Sequence, residues 1–255
     1  MFTVPRITES FVDSIMHEIE WHRYDELHQH QNGELNADYL GFNQVAELKI
    51  FEEEPLLKIE RQNKLAEIYR SSGNMDNLVH IDFTNVDSSI KAKLEKEISK
   101  TLKTPIKKAS KQLKVTAENH SISGDKVLIA VNNEFSSLGA DEFTRLMENR
   151  CKYDSSTITH LVAITVEYHQ GAFDARIDAE VEVRKIHTDH TWKFEECFRE
   201  SFFNHFELCM TQMLTAPEMI ESQLPEIQTI KFESNGVTFV KVAEQIPDSR
   251  FAQEI

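Results

Sequence analysis

Two nearly uninterrupted apolar runs of strand length, KVLIAVN at Lys126 to Asn132 and ITHLVAITVEY at Ile158 to Tyr168, flank a stretch of helical spacing from Leu138 to Cys151. A strand with one face in water alternates apolar and polar residues. A continuous run must instead be covered on both faces, as a strand in a parallel sheet between helices is. Strand, helix and strand in that order form a βαβ crossover, whose right-handed form is nearly obligatory. The expectation is an α/β chain with Leu128, Ile129, Val131, Leu161, Val162 and Ile164 buried in neighbouring parallel strands. Arg176 to Ile186 does alternate, with Ile177, Ala179, Val181 and Val183 on one side, so it reads as a half-exposed edge strand.

Composition sets the outer limits. With 40% hydrophobic residues in 255, the chain can bury a large core, and residues 1–255 read as one domain. No apolar run is long enough to cross a bilayer, and MFTVPRITESFVDS lacks the basic start and apolar stretch of a secretory signal, so a cytoplasmic location with no membrane partner is expected. Cys151, Cys197 and Cys209 lack CxxC spacing and make neither a disulfide framework nor a zinc motif. The net charge of −15 argues against broad, nonspecific nucleic-acid binding; such a partner has to be met by a local basic patch or through metal ions.

Thr8 and Ser10 offer N-caps to a first helix reaching about Gln29, with Phe11, Ile15, Ile19 and Trp21 as its buried stripe and Glu18 on the border of that stripe. His17, His22, His28 and His30 show no metal-ligand spacing and read as surface residues. Glu52 to Pro55 opens a second helix that ends at Ser71 to Asn74, and Leu78 to Phe83 is a short strand or turn. Phe194 to Leu214 is a helix with a broad Phe face, read as core or as a homodimer contact through Phe198 and Phe206. Thr229 to Val242 is a hairpin turning at Ser234-Asn235-Gly236, and the last dozen residues read as loose.

The stretch ADYLGFNQVAELKIF, Ala37 to Phe51, concentrates the candidate chemistry. Its alternation puts Glu47 and Lys49 on one strand face and Ala46, Leu48 and Ile50 on the other. A turn at Gly41 to Gln44 folds Asp38 back beside Glu47. Two carboxylates beside an ammonium suit a hard divalent cation and phosphodiester hydrolysis; the same pattern also describes an ordinary half-buried strand with a solvated polar face.

From Lys91 to Lys114 the charge balance inverts, with nine lysines against Glu95 and Glu97. Leu94, Ile98, Leu102, Ile106, Ala109 and Leu113 keep helical spacing, and Thr104-Pro105 reads as a restart of the helix. Lys100, Lys103, Lys107, Lys111 and Lys114 share roughly one face. That face is either a solvated helix surface or a seat for a phosphate-bearing partner.

Taken in order, a helix, ADY, ELK, a helix carrying KKASKQLK (Lys107 to Lys114), VLIAVNN, another helix and THLVAITV resemble the core of the restriction-endonuclease-like PD-(D/E)xK nuclease superfamily, over about residues 11–168. The resemblance implies a three-layer α/β core, a mixed β-sheet flanked by helices, here extended by a C-terminal strand, helix and hairpin. It places the first acid on Asp38, the acid-x-Lys pair on Glu47 and Lys49, the glutamine-bearing helix on Gln112, and the first-helix glutamate of some members on Glu18. Implied with these are Mg²⁺ or Mn²⁺ on Asp38, Glu47 and Glu18, and Lys49 orienting or deprotonating the attacking water. Nucleic acid, DNA ahead of RNA, would lie along Lys107, Lys111, Gln112 and Lys114, and family analogy extends to defence against foreign DNA. The alternative is a catalytically inactive nuclease fold acting as a binding, regulatory or dimerising module, which an alignment of the second motif on Asp82-Phe83-Thr84 would imply.

Overall fold

In the computed structural model, which describes residues 7–28, 35–73, 76–81, 86–133, 135–170, 175–215 and 229–242, the chain runs through α1 (Glu9–Glu18), β1 (His22–Arg23), a single helical turn α2 (Tyr24–Leu27), β2 (Tyr39–Gly41) and β3 (Gln44–Phe51). A 3-10 turn at Pro55–Leu57 leads into α3 (Ile59–Ser71), β4 (Leu78–His80), α4 (Ser88–Ile98) and α5 (Lys100–Asn119). The order continues with β5 (Lys126–Asn132), α6 (Ala140–Asp154), β6 (His160–Gln170), β7 (Ala175–Lys185), α7 (Glu195–Thr215), β8 (Thr229–Ser234) and β9 (Val237–Val242). Asp82 and the last dozen residues lie outside the described residues.

Six strands form one mixed sheet in the order β1-β2-β3-β5-β6-β7, and β4-β9-β8 form a second, smaller one. In the large sheet β3, β5 and β6 are parallel and the other neighbours antiparallel. The expected crossover is therefore present, with α6 between β5 and β6, and the six core residues named for it are all fully buried. Alternation along β5 explains the layering. Leu128 and Ala130 face a cluster built with α3, α4, α5 and α6, whereas Val127, Ile129 and Val131 face one built with α1 and α7. The result is helices, sheet and helices in three layers. The small sheet packs on α3, where Tyr69 lies 6.0 Å from the Phe239 ring.

Two expectations about the helices change on contact with the fold. The first helix stops at Glu18 instead of reaching Gln29. Glu20 adopts a left-handed backbone (φ 61), and the Glu20 and Trp21 amides bond back to His17 and Met16, a Schellman stop made without glycine. Trp21 is buried as the residue after that stop. The helix break in the lysine-rich region falls at Ser99, and Pro105 sits inside α5; Leu102, Ile106 and Ala109 are all fully buried, so one continuous stripe holds the helix through the proline. On α7, Phe198 and Phe206 are buried within the chain, as the core reading of that face expects. Phe202, one turn from each, stacks on Phe206 and meets Phe11 of α1 edge-on at 5.5 Å, and Trp192 packs on Phe198.

No helix among the described residues is long and apolar enough to cross a membrane.

Candidate active site

The β2–β3 hairpin closes through a two-residue turn in which Phe42 (φ 51) and Asn43 (φ 62) are both left-handed, the conformation whose twist suits a tight hairpin. Gly124, just before β5, lies against this turn; a Cβ there would stand 2.3 Å from the Asn43 carbonyl oxygen, so the approach requires glycine. Across the ladder Leu40 pairs with Val45 and Tyr39 with Ala46. The next step of that register sets Asp38 opposite Glu47.

Pairing ends at Tyr39, which leaves the next outward amide of β3, that of Leu48, without a strand partner. Asp38 takes it: Oδ2 accepts from Leu48 N at 2.7 Å. Glu47 is 0% exposed, and Lys49, two residues on, donates to Glu47 Oε1 and to the Leu48 carbonyl at 3.2 Å. Glu47 and Lys49 thus share the strand face read from their spacing. Glu47 Oε2 is buried with no hydrogen-bond partner among the described residues. Burial, and then the neighbouring Asp38 charge, push the Glu47 carboxyl up to about 8 against the pull of Lys49. Asp38 is raised as well, by burial, with the Leu48 amide, Lys49 and Arg23 opposing.

Two helices position this pair. On α1, Asp13 Oδ1 accepts from Tyr39 OH at 2.6 Å and Arg23 Nε at 2.7 Å, tying β1 and β2 to the helix. Glu9, in the first turn of the same helix, bridges Arg23 at 3.0 Å, and its charge reaches Asp38. On α5, Gln112 Nε2 donates to the Asn36 carbonyl at 2.8 Å and Thr116 Oγ1 accepts from Ala37 N at 2.7 Å, gripping the two residues before Asp38.

The expected site residues separate accordingly. Asp38, Glu47 and Lys49 come together. Glu18 goes elsewhere: it faces α7, where Ser201 Oγ (2.5 Å) and His205 Nε2 (2.9 Å) bond its carboxylate, and the first-helix acid felt by Asp38 is Glu9. Lys107, Lys111 and Lys114 are exposed on one side of α5, and among the described residues Lys107 and Lys111 have no ion-pair partner. Gln112 leaves that face and is half-buried against Asn36, because it stands one turn before buried Thr116 and beside the apolar stripe. Glu9 carried no sequence signal beyond its place near an N-cap. Its distinction from Glu18 depends on which end of α1 reaches the hairpin.

The sequence matches no family model, and comparisons with curated proteins and with solved structures return no match.

Proposed function

We propose that the chain is a divalent-metal-dependent nuclease with a restriction-endonuclease-like core. The observation that carries the reading is the register of the hairpin, which sets Asp38 across from Glu47 with Lys49 on the Glu47 face. The order of elements agrees with it: α1, the β1-β2-β3 meander, α5, and β5 lying parallel to β3. A fully buried and a half-buried carboxylate, the former with an oxygen that no donor among the described residues satisfies, fit a hard cation. Asp38 and Glu47 would hold Mg²⁺ or Mn²⁺, with Glu9 the nearby acid on α1. A cation there supplies Lewis-acid chemistry, lowering the pKa of a bound water and neutralising charge on the scissile phosphate.

The chain's own groups account for the rest. An ammonium has three N–H donors; Lys49 directs one to Glu47 and one to Leu48, and its side chain, 19% exposed, keeps the third for an incoming water or phosphate oxygen. Arg23, clamped by Asp13 and Glu9, fixes β1 and β2 and offsets negative charge beside Asp38. Gln112 and Thr116 fix the approach to Asp38 from the other layer. The exposed lysines of α5 supply phosphate contacts that an acidic chain otherwise lacks.

The test is cleavage of DNA and RNA substrates with Mg²⁺ or Mn²⁺ against an EDTA control. Wild-type protein cuts only with the metal, and Asp38→Ala and Glu47→Ala lose metal binding and cutting together. Wild-type protein that binds nucleic acid yet never cuts under any of these conditions returns the chain to the binding-module alternative.

A further inference from the structure

At the opposite end of β3 from Phe51, three residues distant in sequence bring metal-ligating atoms together. Asp125 precedes β5, His160 opens β6, and His190 lies in the segment between β7 and α7. His190 Nε2 stands 2.8 Å from Asp125 Oδ1, and His160 Nδ1 stands 3.4 Å from the same oxygen. All three ligand atoms lie within 4.8 Å of one another. None of them belongs to the hairpin site, and the inference does not depend on that site being a nuclease.

The tautomer of His160 gives the cluster its direction. This ring is fully buried, and its Nε2 faces the His190 carbonyl oxygen at 3.1 Å. A carbonyl only accepts, so Nε2 carries the hydrogen; in the neutral ring Nδ1 is then a bare lone pair aimed toward a carboxylate oxygen. Thr159 Oγ1 lies 3.1 Å from Nδ1, 3.4 Å from Asp125 Oδ1 and 3.2 Å from the Lys126 carbonyl, and its one hydrogen serves only one of these three acceptors. A cation between the imidazoles and the carboxylate would take both Nδ1 and Oδ1, replacing the hydrogen bond between His190 Nε2 and Asp125 Oδ1, and would leave the Thr159 hydrogen to Lys126. Bonds to nitrogen and oxygen of about 2.0–2.2 Å imply donor separations of roughly 3.3–3.6 Å around a tetrahedral ion; the His160–Asp125 separation already has that value, and the exposed His190 ring, now at hydrogen-bond distance, would draw back by about half an ångström to admit the ion.

We propose that Asp125, His160 and His190 form a second metal site, selective for Zn²⁺ or a neighbouring late first-row divalent ion, that ties the segment carrying His190 and Trp192 onto the ends of β5 and β6. Two imidazoles and one carboxylate suit such ions better than Mg²⁺, which prefers an all-oxygen shell. Each histidine has the outer-shell support a ligand needs: His160 Nε2 is held by the His190 carbonyl, and His190 Nδ1 by Thr188 Oγ1 at 2.5 Å. The His190 side chain is 63% exposed, which gives an ion a way in and leaves a coordination position for water. Next to it Trp192 Nε1 donates to Gln44 Oε1 at 3.0 Å, so fixing this segment also fixes the start of β3.

The metal-stripped full chain is titrated with Co²⁺, whose visible absorption is strong in a tetrahedral shell and weak in an octahedral oxygen shell, and is then melted with and without Zn²⁺. The expected result is one strongly absorbing Co²⁺ per chain, retained in Asp38→Asn/Glu47→Gln, and a melting temperature that Zn²⁺ raises by a few degrees. His190→Ala should weaken Co²⁺ binding at least tenfold and lose the Zn²⁺ shift, while melting as the wild type does in EDTA because its side chain is exposed; Asp125→Asn should also weaken Co²⁺. A weak absorption typical of oxygen ligands, or a strong one unchanged in His190→Ala, overturns the site.

Discussion

Asp38 faces Glu47 one step beyond the last rung of the β2–β3 ladder, and Asp38 holds the Leu48 amide that the missing rung leaves open. The half-buried carboxylate therefore closes the end of a strand while standing beside the fully buried acid of Glu47. Either role alone is ordinary. Together they place two like charges where water is scarce, and the folded chain relieves this only in part through Lys49 and Arg23.

Stability of the metal-free protein should depend on pH in an unusual sense. The Glu47 carboxyl titrates near 8 in the folded chain against an ordinary value of 4.5, so between those values the native state keeps a proton that the unfolded state has lost, and stability falls as pH rises. Asp38 adds in the same direction. In EDTA the melting temperature should drop by several degrees from about pH 5 to about pH 8.5, a loss of order a few kcal/mol. Glu47→Gln should flatten the profile and melt higher than wild type at the alkaline end. A wild-type profile that is flat or rises over this range would contradict the buried-pair account.

Replacing Lys107, Lys111 and Lys114 together with Glu should leave the melting temperature within a degree or two, since all three are exposed, yet remove measurable nucleic-acid binding. The wild-type affinity should fall with salt, and single Lys→Ala changes should each lower the log–log slope by about 0.9. Affinity at low salt that survives the triple change would assign phosphate binding to another surface.

The core between α1 and α7 makes a sharper stability test. Phe202→Ala removes a fully buried ring in contact with Phe11 and Phe206 and should cost about 3–5 kcal/mol in urea unfolding, whereas Phe203→Ala, at a 42% exposed position, should cost about 0.5 kcal/mol or less. Equal losses would mean that α7 does not pack as described.

These cases separate what the chain discloses locally from what it does not. The runs around Leu128 and Val162 declare a buried parallel pair because nothing in them tolerates water on either face, and Glu47-Leu48-Lys49 declares a shared face because strand alternation has a fixed period. The end of α1 is silent, since a left-handed Glu20 carries no glycine signal. The Phe stripe of α7 announced burial without saying that α1 would cover it. Glu9 and Glu18 look alike in the sequence, and only the direction of α1 across the sheet sends one toward Asp38 and the other to Ser201 and His205. Asp125, His160 and His190 form no spacing motif at all, because the starts of β5 and β6 and the segment after β7 bring them together.

Lys49 distinguishes a catalytic hairpin from a merely buried one. Its ammonium neutralises Glu47 and lies on the same strand face, so Lys49→Ala removes a charge without removing either carboxylate. The cation should bind at least as well in that variant, because the competing ammonium is gone and Asp38 and Glu47 remain. Cleavage should nevertheless fall by about two to four powers of ten, the usual cost of losing a positioned proton-transfer group or an electrostatic stabiliser of the transition state. Without metal, the variant should also melt lower than wild type at about pH 8, since Lys49 no longer holds the Glu47 pKa down and the carboxyl keeps a proton that the unfolded chain releases, and Mg²⁺ or Mn²⁺ should restore more of that loss than it adds to the wild type. Calorimetric titration with Mn²⁺, single-turnover cleavage and melting curves with and without the ion read the three quantities separately. Metal binding that rises while cleavage collapses assigns Lys49 to the reaction; metal binding and cleavage that both stay at the wild-type level make Lys49 a structural counter-ion and leave the nuclease reading without its third residue.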